Sequence, residues 1–475
     1  MTLAQAVGES LRRHPDKVVS RDADNDFTGG QLLAACRAAA GRLAGATAGP
    51  RVGILLPNCA AYPAALVGAL WAGKTAVPLN PMLKPAELDF LVQDAGIDTI
   101  VVAEATATLV AGLAVQAVPM ADLLGFTGPA PSAPVEADPD GTAVMLYTSG
   151  TSGKPKGVPL THTNLLSNSR ALIDRAGLSS DEVFLGVLPM FHAFGLTGSL
   201  VLPLLLGAEV SYQPRFHPDR SAAVIKERAV SVFIAVPSMF GLLARSRGHD
   251  EGLRGVRLPV SGGEALPPAY RDGYRQRFGR DLLEGYGLTE TSPTLALNLP
   301  DANRPGTVGR PLPGVQVRLA GEDNEIQVRG PGVMKGYYNR PQENAHAFTA
   351  DGWFRTGDMG RLDADGYLSI TGRIKELIIR GGEKIMPREV EEVLGQYPGV
   401  LEAAVIGEPD GDRGEAVVAF VLPGDSPPAP EALRDFCRER LAEFKVPRRF
   451  TIARDLPRGP TGKLLKRALR DWKPV

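Results

Sequence analysis

Residues 147–158 read YTSGTSGKPKGV, a run of hydroxyl residues, glycines and two lysines with a proline between them. Glycine lets the main chain turn its N–H groups toward an anion, and lysine neutralises charge that the N–H groups leave unmet. A ligand rich in phosphate would use all of these. The stretch is not a Walker loop, which needs a glycine five residues before Gly-Lys and Ser or Thr directly after it. Here Thr148 stands at that distance before Gly153-Lys154, and Pro155 follows. Taken alone, the composition fits a flexible Gly/Ser linker equally well. The surrounding elements have to decide.

Those elements alternate. The apolar runs RVGILLP, DTIVVA, GTAVMLYTS and VSVFIAVP are rich in Val and Ile without polar alternation, as strands buried on both faces of a parallel sheet require. Helical patterns over 60–72 and 218–228 lie between such runs and complete βαβ units. From about 300 to 370 the texture changes to short alternating strands with many turns, which reads as a small β subdomain. A last region, 375–475, starts a helix at Pro387 with Glu389, Glu391 and Glu392 in its first turns. It continues with the strand pair LEAAVIG and EAVVAFVLP, a proline-rich link, a helix reaching to about Phe444 and a basic tail. The fold class is therefore α/β: a large N-terminal domain over 1–374 with mostly parallel sheets, and a small α+β C-terminal domain.

Composition removes several classes of function. With 52 Lys plus Arg against 53 Asp plus Glu, nothing favours a nucleic-acid partner. Three dispersed cysteines form no C-x-x-C pair and suit a reducing cytosol, and the six histidines include no H-x-x-x-H pair. Residues 183–208 carry no Asp, Glu, Lys or Arg, yet Pro189, Pro203, four glycines and His192 interrupt them. A buried segment beside an apolar cavity fits this stretch better than a membrane span. The expected location is cytoplasmic, with peripheral membrane association left open.

Four further stretches follow the loop in order: SGGEAL (261–266), EGYGLTE (284–290), WFRTGD (353–358) and GRIKELIIRGGEKIMPREVE (372–391), with LPRGPTGKLLKR (456–467) near the end. In this order and spacing the chain resembles the adenylate-forming superfamily of acyl-CoA synthetases, peptide-synthetase adenylation domains and luciferases, most closely the fatty acid–CoA ligase branch. The resemblance covers nearly the whole chain. It implies a C-terminal lid that rotates between two half-reactions. In the first, a carboxylate attacks the α-phosphorus of MgATP and pyrophosphate leaves. In the second, the thiol of CoA attacks the acyl carbon and AMP leaves.

The resemblance also assigns roles. Thr148, Ser149, Gly150, Thr151, Ser152, Gly153 and Lys154 would hold the outgoing phosphates, and Glu290 would hold Mg²⁺, with Thr289 on the α-phosphate. Gly262, Gly263, Glu264 and Ala265, with Glu284, Gly285, Tyr286 and Gly287, would enclose adenine. Asp358 would accept from the ribose hydroxyls beside Arg373, with Tyr367 in the same nucleotide set. Lys463 would reach in from the lid onto the transferring phosphate, Lys375 would be the hinge, and Gly381 and Gly382 would line the pantetheine tunnel. Each residue alone also has a plain reading: a solvated loop glutamate, a turn aspartate, one lysine of a basic tail.

For the acid, His192 stands where amino-acid-activating relatives have an aspartate, so an ammonium group would lack its partner. Gly285 stands where malonate-type ligases carry an arginine, so a second carboxylate would lack one too. The other candidate lining residues, Phe191, Phe194, Gly195, Val236, Met239, Gly262 and Gly287, are apolar or small. They point to a medium- to long-chain fatty acid, with an aryl acid as the nearest rival. The acceptor would be CoA or a separate acyl carrier protein. A non-catalytic acyl or nucleotide binder is the reading from another class. The chain departs from the family pattern in a shorter β subdomain near VRLAGEDNEIQV.

Overall fold

A computed structural model describes residues 1–149, 155–246, 248, 250–459 and 462–472. The apolar runs form the middle of two sheets. A six-stranded sheet runs Gln116–Pro119, Thr99–Val102, Arg51–Leu55, Thr75–Pro78, Thr142–Ser149, Pro155–Thr161, parallel except for the last, antiparallel pair. A nine-stranded sheet has a parallel centre from Val18–Arg21 through Glu209–Tyr212, Val183–Gly186, Val232–Ala235 and Leu258–Gly262 to Leu283–Gly287. Antiparallel strands close its two edges. Helices cover the faces of both sheets, which is why their central strands are apolar on both sides.

One large core, from Leu3 to Leu368, ties most of this mass together. Within it the rings of Phe233, Phe240, Tyr274 and Phe278 pack edge to face in series, with centroids 4.8 to 5.4 Å apart. This geometry adds about 0.5–1.5 kcal/mol per pair beyond burial. It locks the helix Pro268–Phe278 onto the sheet.

The β subdomain is a four-stranded antiparallel sheet of Gln316–Ala320, Glu325–Arg329, Phe354–Leu362 and Leu368–Arg373. The shortened stretch is its first hairpin, turned at Gly321 and Asn324, both at positive φ. Beyond Arg373 the chain builds separate cores, one from Ile378 to Phe450 and one from Ala404 to Leu469. These wrap the strands Val400–Pro409, Glu415–Pro423 and Arg449–Ile452. The helix expected to reach Phe444 stops at Arg438, and a 3-10 turn follows over Glu443–Lys445. Lys445 there reaches back to Glu389 at 2.7 Å, which folds the chain over instead of extending the helix.

The charge-free stretch is mostly buried, as expected: after the strand Val183–Gly186 it forms a broken helix, Ala193–Leu196, a π turn over Thr197–Val201, then Leu202–Leu206. Pro203 has no N–H to offer the turn before it. The carbonyl of Ser199 instead accepts from the Tyr212 hydroxyl at 2.7 Å. Among the described residues, no helix is long and apolar enough to cross a membrane.

Candidate active site

The site forms at the carboxyl ends of the parallel strands, where open α/β sheets place their ligands. Leu258–Gly262 and Leu283–Gly287 lie side by side with Gly262 opposite Gly285. Tyr286 projects to the β subdomain and donates its hydroxyl to Asp358 Oδ2 at 2.7 Å. Arg373 stands directly across the ladder from Asp358 and holds Oδ1 at 2.9 Å. Asp358 is only 3% exposed, and each of its oxygens has a side-chain partner. Glu290 closes the same side from a 3-10 turn, Thr289–Thr291, and accepts from the Tyr337 hydroxyl at 2.9 Å. Burial holds its carboxyl above the usual range.

The phosphate segment is held from outside. Thr148 pairs with Lys156 across the hairpin Thr142–Ser149 and Pro155–Thr161. Just before it, Tyr147 donates to Asp94 at 2.8 Å, and Arg340 binds the other oxygen of Asp94 at 2.6 Å. Gly150, Thr151, Ser152, Gly153 and Lys154 lie outside the described residues.

Lys463 enters from the C-terminal region. A Cβ built on Gly263 would lie 2.6 Å from Lys463 Cε and 3.0 Å from Nζ, so the lysine lies across that glycine. Gly263 has φ +89°, which favours glycine independently of the space. Burial, and secondarily the Arg373 guanidinium, lower the Lys463 pKa, while Glu264 works against them. His192 is held neutral: burial first and the Lys463 ammonium second push its pKa down to about 4. Its ring tilts against Phe191 with centroids 4.9 Å apart.

Five of the expected residues have local partners besides any ligand. The Glu264 carboxylate is turned to the lid and accepts the Leu464 N–H at 2.9 Å. Burial puts the Glu284 carboxyl up to about 7, and its favourable partners are Arg388, Arg271 and the Gly306 N–H. The Tyr367 ring lies between Arg304 and Arg310, with centroid distances of 4.0 and 4.7 Å, and its hydroxyl donates to the Ala302 carbonyl. Tyr286, not Tyr367, is the tyrosine on Asp358. Gly287 is small because a Cβ there would lie 1.9 Å from the Pro293 carbonyl oxygen. Local packing thus requires glycine there, as it does at Gly195, where a Cβ would lie 2.3 Å from the Pro189 carbonyl oxygen.

Gly381 and Gly382 form the two-residue turn between Ile378–Arg380 and Glu383–Ile385, with φ of 58° and 87°. The turn is exposed, and Lys384 beside it pairs with Asp323 of the β subdomain at 2.6 Å. Lys375 lies in a 3-10 turn, Ile374–Glu376, directly after the last strand of that subdomain.

Comparison with known proteins decides what this geometry belongs to. The AMP-binding enzyme family matches residues 7–338, and the AMP-binding enzyme C-terminal domain matches 389–463. The chain belongs to the AMP-binding enzyme family. Curated relatives of this AMP-binding enzyme include a sulfoacetate–CoA ligase of Cupriavidus necator, 36% identical over 98% of this chain and 96% of that one. A long-chain-fatty-acid–CoA ligase of Bacillus subtilis is 33% identical over 98% and 94%, and a feruloyl-CoA synthase of Amycolatopsis is 38% identical over 90% of each. Among solved structures, ATP-bound MatB from Rhodopseudomonas palustris superposes with a TM-score of 0.91 at 30% identity over 99% of both chains. O-succinylbenzoate coenzyme A synthetase of B. subtilis with ATP and magnesium gives 0.86 at 30% identity, over 98% of this chain and 99% of that one. This AMP-binding enzyme is an acid–CoA ligase that works through an adenylate, and ATP and CoA are its family's substrates.

Proposed function

We propose that the enzyme converts a medium- to long-chain fatty acid to its CoA thioester, releasing AMP and pyrophosphate. The carrying observation is the neutral His192: with its pKa near 4, it offers no cation to a second anionic group on the acid. Lys463 is the cation beside it, and Glu264 offsets part of its charge. A chain with an uncharged tail leaves no charge unpaired in that pocket. The Phe194 ring, 3.0 Å from where a Gly262 Cβ would be, narrows the slot. That contact favours a flat aryl acid as the second reading, in line with the feruloyl-CoA synthase relative.

In the first half-reaction the acid's carboxylate oxygen bonds to the α-phosphorus and the bond to pyrophosphate breaks. Lys463 spreads the charge on the transferring phosphate, and Asp358, oriented by Tyr286 and Arg373, fixes the ribose. Glu290 is the residue for Mg²⁺. The described residues hold no cluster of three or more His, Cys, Asp or Glu that could chelate an ion alone. A lone carboxylate completed by phosphate oxygens and water is the donor set Mg²⁺ prefers, and the ion supplies charge neutralisation for the phosphates. In the second half-reaction the CoA sulfur attacks the acyl carbon and AMP leaves. We place the hinge for the change of lid position at Lys375, with Gly381-Gly382 then turned to the pantetheine arm. A separate acyl carrier protein is the competing acceptor.

The test is pyrophosphate release from MgATP across fatty, aryl, sulfonated, dicarboxylic and amino acids, with and without CoA. Release confined to fatty acids, with acyl-CoA formed when CoA is added, supports the proposal. A preference for cinnamate-type acids moves it to the aryl reading, and release without CoA consumption moves the acceptor to a carrier protein.

A further inference from the structure

The loop bearing Lys463 is gripped on both flanks by groups that the reading of its chemistry does not use. It turns back on itself, with the Gly459 N–H donating to the Lys463 carbonyl at 2.7 Å and the Gly462 N–H to the Gly459 carbonyl at 2.9 Å. Arg458, at its base, spans two acceptors: Nη1 donates to the Gly462 carbonyl at 3.1 Å and Nη2 to Glu402 Oε2 at 2.6 Å. The same Glu402 oxygen accepts the Tyr270 hydroxyl at 2.9 Å. Tyr270 belongs to the large domain, on the helix Pro268–Phe278. Its ring packs where a Gly241 side chain would be, with a Cβ there only 2.6 Å away, so the hydroxyl has little freedom. On the other flank Glu264, also of the large domain, accepts the Leu464 N–H at 2.9 Å and faces Arg458 at 3.9 Å. Glu402 is 7% exposed and Arg458 20% in its side chain. Charges this sheltered persist because each has a partner.

We propose that Glu264, Tyr270, Glu402 and Arg458 form an interdomain clamp that positions Lys463 for the adenylate-forming half-reaction. Arg458 is the cation between the two carboxylates, with Glu402 at 2.6 Å and Glu264 at 3.9 Å, and Tyr270 is a neutral donor to Glu402. Three of its contacts cross from the large domain to the lid, Tyr270 to Glu402 and Glu264 to Leu464 and Arg458, so the clamp exists only while the lid presents Lys463 to Gly263. Rotation of the lid would separate Tyr270 from Glu402 and Glu264 from Leu464. These are positioning residues. The inference rests on the reading of Lys463 as the group on the transferring phosphate.

The experiment measures the two half-reactions separately in the full-length enzyme. Adenylation is followed by ATP–pyrophosphate exchange with decanoate, or with whichever panel acid releases pyrophosphate fastest. Thiolation is followed from the matching synthetic acyl-adenylate plus CoA. Arg458→Ala is expected to lower adenylation about 100-fold, the scale of a catalytic group misplaced by about an ångström, with thiolation within about twofold of wild type. Glu264→Gln keeps an oxygen for the Leu464 N–H and should retain most adenylation, whereas Glu264→Ala should not. In a Lys463→Ala background, Arg458→Ala should cost no further adenylation, because its effect passes through the lysine. Equal loss of both half-reactions with a fall in Tm, additive loss in the double variant, or no loss at all would each overturn the clamp. A Lys463→Ala enzyme with undiminished adenylation would overturn the reading of Lys463 and the clamp with it. A crippled Lys463→Ala beside an active Arg458→Ala would overturn the clamp alone.

Discussion

Asp358, buried, and Glu264, half-buried, are carboxylates at two ends of the site, and they are held in different ways. Asp358 has Arg373 opposite it in one β-ladder and Tyr286 on the adjoining sheet, so its partners stay in place whatever the lid does. Glu264 takes its backbone donor from Leu464 and faces Arg458, both beyond the hinge region. One end is built into the fold and the other is assembled by docking. Such a division suits the proposed mechanism, in which the nucleotide stays bound through two reactions while Lys463 acts in only one.

Removing the built-in end is expected to have the largest effect. Asp358→Ala should lower both half-reactions, each by about 100-fold, because the ribose is present in both and misplacement is costly. Removing the acceptor of the half-buried Tyr286 hydroxyl should also cost about 1 kcal/mol of stability in urea unfolding. A defect confined to adenylation would erase the distinction between the two ends.

The docked end should respond unevenly. Lys375→Pro, which restricts the 3-10 turn after Arg373, should slow thiolation about tenfold or more and spare adenylation, since the lid is already docked with Lys463 on Gly263. Normal rates in both steps would remove Lys375 as the hinge. Gly263→Ala is expected to act in the opposite sense. Its Cβ would press on Lys463 Cε at 2.6 Å and on a φ of +89°, so adenylation should fall several-fold while thiolation holds. Stability should drop by about 1 kcal/mol.

The smallest effect lies away from the site. His162 Nδ1 accepts the Leu3 N–H at 3.1 Å, which needs a neutral ring. Burial first, and the N-terminal amine second, push its pKa from the ordinary 6.5 down to about 4, with Asp138 opposing. Between those values the unfolded chain binds a proton that the folded chain does not, so stability should fall as pH drops from about 6.5 to about 4 and level off below. Urea midpoints for wild type and His162→Asn across that window measure this contribution. Parallel curves would show that His162 does not carry it.

The two ends also differ in how far they could be read from sequence. The sheets were legible because central parallel strands announce themselves as unbroken apolar runs. Asp358, Arg373, Glu290 and Lys463 stood out because they sit in ordered motifs, and the structure pairs Arg373 with Asp358 and lays Lys463 across Gly263. The clamp was not: Glu402 lies inside an ordinary strand, Tyr270 on a helix face, and Arg458 in a basic tail. Tyr270 and Glu402 are 132 residues apart. Nothing in residue spacing joins them, and only docking makes them neighbours. Glu264 shows the same limit from the other side, since its position beside Gly263 suggested an adenine wall while its carboxylate serves the lid. Spacing likewise says nothing of the local packing at Tyr367, gripped by two arginines, or at Gly287, pressed on a carbonyl.

The most direct test of the central claim is the rate of each half-reaction in Lys463→Ala. The account predicts that adenylation nearly disappears while acyl-CoA still forms from a supplied acyl-adenylate at close to the wild-type rate. Equal loss of the two would contradict it.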